Sequence, residues 1–409
     1  MNFTNDNANR TPLVDNVFRI ASLAKEDAKI NGDLVINATI GSLCGEDGKL
    51  AALKTVYDSF REVPDRVKAG YAPAIKGDPQ YLRLVKDWIL QGHLCAMPNA
   101  AVATAGGTGA ISAAISATTN DSDAVLIPDI AWGSYKIMLN YFHLKAESYP
   151  LFKGNSFDTE SFERIAGETI RKQGRLTVVI NDPCQNPTGD CMTRGEWDKI
   201  VEILNRISEN GPVTLINDIA YIDYMKDLAH SRDHFDAFEK LGQNVAVVVA
   251  FSCSKSLTAY GMRLGAALLL SNNKDAVKEL ESVMERYCRS VWSNVNNGFM
   301  NTFTILMNKR RDEYLAEKAQ YIKYLAKRAE IFTKEADACG LEYYPYKDGF
   351  FVTVKVEDPA FLSTYHEKLM EHHIYTVKVN KGIRVGLCSL SEKTASGLAE
   401  AMKKVAEEI

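Results

Sequence analysis

The sequence predicts an α/β protein: a mainly parallel sheet with helices on both faces, and a smaller α+β unit beside it. Three observations carry this. Between about residues 100 and 270, runs such as "DAVLIPD", "LTVVIND", "VTLIND", "VAVVVAF" and "GAALLLS" are almost continuously apolar, as strands buried on both faces are. Helix-like stretches separate several of them, among them "SYKIMLNYFHL" and "RGEWDKIVEILNRIS", which suits crossover connections between parallel strands. The 409 residues also exceed the roughly 250–300 that one core accommodates, so a second unit is expected.

Along the chain, "AVATAGG" predicts a strand leading into the small-residue helix "TGAISAAISATT", and the runs named above follow in order. Near residue 305 the pattern changes to a charge-laced helical region, "NKRRDEYLAEKAQYIKYLAKRAEIFTKEADACG", stopping at Gly340. Its Lys309, Arg310 and Arg311 are interleaved with Asp312, Glu313 and Glu317, which reads as a solvated helix face rather than a nucleic-acid patch. Then come "GFFVTVKV", a helix over 359–372, "IYTVKV", "IRVGLC" and a last helix.

A chain 46% hydrophobic and 24% charged is an ordinary globular composition, which excludes disorder, collagen and coiled coil. The net charge of -4 gives no general attraction to nucleic acid or anionic membrane. No basic leader followed by an apolar core opens the sequence, and no apolar run approaches the ~20 residues of a membrane span, so a cytoplasmic protein is expected. Eight scattered cysteines without a C-x-x-C pair predict buried thiols rather than disulfides or zinc.

In open parallel sheets ligands bind beyond the carboxyl ends of the strands, so the residues there are the functional candidates. After "AVATA", Gly106, Gly107 and Thr108 open a helix, either as a tight turn or as a cradle of N–H groups for an anion. Trp132 follows "VLIP", and Asn186 sits in the turn "NDPCQNPTGD". Asp218 ends "VTLIND" with Tyr221 three residues on, and Ser252, Lys255 and Arg263 follow "VAVVVA". Pyridoxal phosphate would use this whole set. It needs a lysine amine for an imine, here Lys255, and a carboxylate to keep its ring nitrogen protonated, here Asp218. Tyr221 and Asn186 could meet the ring oxygen, Trp132 the ring face, and Arg263, Ser252 and the Gly106–Thr108 turn the phosphate. Burial among positive charge would lower the pKa of Lys255 toward its nucleophilic form.

With "SCSKSLTAYGMRLG" at 252–265, "NPTG" at 186–189 and Asp-x-x-Tyr at 218–221, the sequence resembles the class I aminotransferases of pyridoxal phosphate fold type I. Within them it is most similar to the aspartate and aromatic amino acid aminotransferase branch, over nearly the whole chain. The resemblance implies a seven-stranded sheet in a large domain at 46–309, a small domain from 15–45 and 310–409, and an N-terminal arm at 1–14. It implies Lys255 as the imine lysine and proton carrier, Asp218 on the ring nitrogen, and a homodimer with shared sites. Tyr71, in "AGYAPAIKGDPQY", would then reach the phosphate across the interface. Arg384, in "KGIRVGLCSL", matches the arginine that grips the substrate α-carboxylate with its planar fork. Arg289 stands four residues before Ser293, where aspartate aminotransferases place an arginine for a side-chain carboxylate, with Arg286 as a rival. Gly41 lies in the substrate loop "INATIGSLCGEDGK", where Ala38 and Thr39 depart from the family glycine. Gly106 and Thr258 also depart, the first from a hydroxyl donor and the second from a smaller or apolar residue.

The activity implied is amino-group transfer from an L-amino acid, aspartate or an aromatic one, to a 2-oxo acid such as 2-oxoglutarate, in a ping-pong cycle. A pyridoxal-phosphate-dependent β-lyase or decarboxylase would share the cofactor residues. A non-catalytic sensor would need a DNA-binding module for which little sequence precedes the resemblance, and a nicotinamide site leaves Lys255 and Asp218 unexplained. No metal site is expected. His230 and His234, in "HSRDH", are read as a polar surface loop, and His372 and His373 diverge on their helix. Strand alternation is expected to turn Cys253 into the core, and Ser254 is read as leaving room beside the lysine.

Overall fold

Strands dominated by Val, Ile, Leu and Ala have little polar surface to solvate, and the central ones here are buried at every residue, with polar exceptions such as Asn181, Asp218 and Ser252 at their carboxyl ends. The computed structural model describes residues 3–4, 8–13 and 15–409, so that positions 1, 2, 5–7 and 14 of the expected arm lie outside the described residues. In chain order the elements that position the site are α1 (Asn16–Asn31), β1 (Asn99–Thr104), α2 (Gly106–Thr118), β2 (Ala124–Pro128), α3 (Ser134–Tyr141), β3 (Lys145–Tyr149), α4 (Thr159–Gln173), β4 (Leu176–Asn181), α5 (Arg194–Ile207), β5 (Val213–Asp218), β6 (Val245–Ser252), α6 (Cys253–Ser256), β7 (Gly265–Leu270), α7 (Lys274–Val291), α8 (Arg311–Cys339), β8 (Phe351–Lys355), α9 (Pro359–Glu371), β9 (Val377–Val379) and β10 (Gly382–Gly386).

Seven strands join in the order β1-β7-β6-β5-β4-β2-β3. All neighbours are parallel except β7, which is antiparallel to β1 and β6. Alternation divides their side chains between two cores. Val247, Val249 and Phe251 join Leu215, Val178 and the indole of Trp197 on one face, while Val248 and Ala250 join Ile216, Val179 and the alanines of α2 on the other. Local chemistry sets the helix ends. Thr193 and Glu196 form a reciprocal capping box on α5, and α4 and α8 stop at Gly174 and Gly340 in the left-handed region.

A third core gathers Ala38, Leu43, the antiparallel sheet β8-β10-β9 and the last helix. The long helix α8 crosses between cores: Tyr314 packs with the large sheet, and Ile322, Leu325 and Phe332 pack with the small one. Among the described residues no helix is long and apolar enough to cross a membrane, and all eight cysteines are free.

Two readings need correction. His234 is not on a surface loop. It lies in a 3₁₀ segment, Asp233–Lys240, whose Phe235, Ala237 and Phe238 bury that face. Its ring centroid is 4.2 Å from that of Phe235, and burial pulls its pKa down to about 3. His230 alone is exposed, against Asp233. Cys253 is in the core as expected, but for another reason: it begins the short helix α6 rather than continuing a strand, and its thiol lies 4.0 Å from the Tyr81 hydroxyl.

The loop carrying Asn186 is tied to the small sheet. Thr353 donates to Pro187 O at 2.7 Å, and the N–H groups of Lys347 and Asp348 both donate to Gly189 O. Gly189 has φ 78°, and a Cβ there would collide with the Tyr346 ring and the Phe351 carbonyl. Gly189→Ala should therefore cost more than about 2 kcal/mol of stability. Gly195→Ala, at a site where an added Cβ meets nothing within 4 Å, is the matched control and should cost nothing. Denaturant midpoints of the two variants check this.

Candidate active site

Lys255 sits on the single turn α6 directly after β6, because the strand ends there and the chain must reverse. Its ammonium donates to Gly41 O at 2.6 Å and lies 4.9 Å from the Tyr260 ring centroid and 5.4 Å from that of Tyr221. Desolvation lowers its pKa to about 8; the Cys388 thiol opposes the shift, and Arg384 and Arg263 add to it. Asp218 closes β5 with 5% of its surface exposed. Its Oδ2 accepts from the Tyr135 hydroxyl at 2.6 Å and its Oδ1 from Ala220 N at 3.1 Å. Burial raises its pKa, and the Tyr135 and Ala220 bonds pull it back down.

A cavity of about 350 Å³ receives Gly107, Thr108, Trp132, Asn186, Asp218, Tyr221, Ser252, Lys255 and Arg263. These come from the ends of β1, β2, β4, β5 and β6. The volume is that of a small-molecule pocket. On its wall Arg263, in the left-handed region at φ 51°, donates to Ser254 Oγ at 3.1 Å and to Tyr260 O at 3.0 Å. Gly106 lies under that guanidinium: its φ is 73°, and a Cβ would stand 2.6 Å from Arg263 Nη2. The departure to glycine at 106 thus makes room for the arginine. Ser254 does more than leave room, since its hydroxyl orients Arg263.

A second cavity of about 630 Å³ shares Trp132 and Asn186 with the first and is lined by Arg384. Arg384 is held on β10, 6% exposed, with Nη2 donating to Thr39 O at 2.9 Å and Nη1 to Asn186 Oδ1 at 3.4 Å. Its guanidinium lies 4.3 Å from the Phe351 ring centroid, and its buried Nε has no partner. A buried guanidinium left with an unspent donor is suited to an incoming carboxylate.

Not every expected residue joins these cavities. Tyr71 is 83% exposed, and Arg289, at the end of α7, donates to Ser293 Oγ at 2.7 Å away from both. Gly41 contributes its carbonyl to Lys255, and a Cβ there would stand 3.2 Å from the Phe351 ring. Thr258 is buried and accepts from Leu53 N. Sequence reasoning missed Tyr135, Tyr260, Ser254 and Phe18, which lie in or against the first cavity. Tyr135 lies in the first turn of α3, three residues after Trp132, which precedes the helix.

The family model "Aminotransferase class I and II" matches residues 34–402. The aspartate aminotransferase of Salmonella typhi is 27% identical over 280 residues, covering 67% of this chain and 69% of that one. The aromatic-amino-acid aminotransferase of Paracoccus denitrificans is 28% identical over 58% of each. The crystal structure of an aminotransferase from Anaerococcus prevotii superposes with a TM-score of 0.94 at 31% identity, covering 100% of this chain and 99% of that chain. This chain belongs to the class I and II aminotransferases. It is a pyridoxal-phosphate-dependent enzyme of amino-group transfer, acting on an amino acid and an oxo acid.

The residues present fit that cofactor: an enclosed amine, a buried carboxylate and a glycine turn against an arginine share one cavity. Because only the neutral amine attacks an aldehyde, uptake of pyridoxal phosphate by the cofactor-free protein should accelerate as pH rises through an inflection near 8. Stopped-flow absorbance measures it; an inflection near the ordinary lysine value of 10.5 would contradict the burial argument.

Proposed function

We propose that the enzyme moves the amino group of aspartate or an aromatic amino acid to 2-oxoglutarate as a homodimer, with Tyr71 and Arg289 serving the partner's site. Arg384 carries the reading, as a buried fork with an unpaired Nε beside the cofactor cavity. When bound, pyridoxal phosphate supplies an aldehyde for the amine and a protonated ring that accepts electrons.

The chain's residues take these parts. Lys255 Nζ would take the proton from the substrate Cα and deliver it two atoms along, on the far side of the transferred nitrogen. Asp218 would hold the proton on the ring nitrogen, Asn186 and Tyr221 would meet the ring oxygen, and Trp132 would cover a ring face. Gly106, Gly107, Thr108, Ser252 and Arg263 hold the phosphate through N–H groups, a hydroxyl and a guanidinium. Arg384 orients the α-carboxylate against the Gly41 loop. Domain 46–309 would carry the cofactor, and the small domain, 15–45 with 310–409, would bring Arg384 to it. The free thiols suit a reducing, cytoplasmic setting.

A donor screen with 2-oxoglutarate tests this, run on the wild type and on Arg289→Ala. Aspartate or aromatic donors should convert the visible absorbance of the lysine-bound cofactor, and Arg289→Ala should lower kcat/KM for aspartate at least about tenfold while sparing aromatic donors. Uniform loss across donors would make Arg289 structural, and no conversion by any of these donors would overturn the substrate reading.

A further inference from the structure

An electron-sink site has to keep one buried carboxylate charged, and the protein environment of Asp218 works against that. It is almost fully enclosed at the end of β5, and the cation that favours its charged form is Lys255, whose amine is consumed when the cofactor binds. Lys255 thus ceases to be a fixed positive charge at the point when Asp218 has to be ionised. Tyr135, on α3, is the side chain that donates directly to the carboxylate, at 2.6 Å. It is wholly buried, and burial, with the adjacent Asp218 charge, pushes its phenol well above the ordinary tyrosine value. It therefore remains a neutral proton donor across the working range. The Tyr135 ring also meets Trp132 edge to face, with centroids 5.4 Å apart and planes at 84°.

We propose that Tyr135 is a positioning residue that holds the Asp218 carboxylate in its charged form and in one plane, and at the same time sets the tilt of the Trp132 ring. The side chain under the cofactor ring and the one at its nitrogen would then be fixed by a single phenol. This rests on the reading that Asp218 meets the ring nitrogen. Titratable or charged groups facing Asp218 besides Tyr135 are Lys255 from α6 and Tyr221 from the turn after β5; Tyr221 is itself held neutral by burial.

The direction of the effect follows from proton affinity. Without the donated bond, the carboxylate takes a larger share of the proton it holds with the ring nitrogen. The ring then withdraws fewer electrons from the lysine-bound nitrogen, which titrates at higher pH. Tyr135→Phe removes one oxygen and keeps the ring and its contact with Trp132. In the holoenzyme the absorbance titration of the lysine-bound cofactor should move up by about half a unit or more. The dissociation constant of pyridoxal phosphate from cofactor-free protein should rise about tenfold. Circular dichroism and the thermal midpoint show whether the variant is folded.

A second background makes the assignment specific. In Asp218→Asn the carboxylate is gone, so adding Tyr135→Phe should move the titration no further. An unmoved titration in the single variant, or an equal shift in both backgrounds, would overturn the proposal. Should the wild type bind the cofactor while Asp218→Asn leaves the titration unchanged, the reading of Asp218 itself would fall, and that outcome is distinct from failure of Tyr135 alone.

Discussion

Desolvation at the carboxyl edge of one sheet is the constraint on which the rest depends. It acts on Lys255 and Asp218 in opposite chemical directions, lowering the pKa of the amine and raising that of the acid. For the lysine this is useful, because a neutral amine is the nucleophile. For the aspartate it is a cost that the surrounding donors offset. The same enclosure thus prepares one group and endangers the other, and the hydrogen bonds from Tyr135 and Ala220 are placed on the endangered one.

That enclosure is shared between units. The large sheet supplies the two charged groups, while Gly41 O and the Phe350 ring reach Lys255 from the side of the small sheet, where the Phe351 ring packs on Arg384. The Asn186 loop is where the units are stitched together, through Thr353, Lys347 and Asp348. Arg384 neighbours Thr353 in the β8-β10 register, so the strand pair that grips this loop also carries the carboxylate-binding fork. A shift of the small sheet would move Asn186 and Arg384 together.

The residues at the strand ends were legible in the sequence because buried parallel strands are continuous apolar runs whose ends can be read directly. Asp218, Asn186, Ser252 and Lys255 follow such ends, and the cavity collects them. Tyr135 was harder, since a tyrosine on a helix gives no sign of which way its hydroxyl points. His234 was misread because its short polar motif conceals the apolar Phe235 and Phe238 that bury it. Tyr71 and Arg289 face away from this chain's own cavities, so a single chain gives their roles no geometric support. Gly106 was read as a lost hydroxyl, and only the position of Arg263 shows what the missing side chain makes room for.

The central claim is that the amine at the end of β6, and no other, receives the cofactor. Borohydride reduction of the holoenzyme, followed by peptide mass spectrometry, tests it most directly. The account predicts one reduced pyridoxyl adduct, on Lys255. An adduct on a different lysine, such as the buried Lys318 beneath α6, or no adduct in a protein that has bound the cofactor, would contradict it.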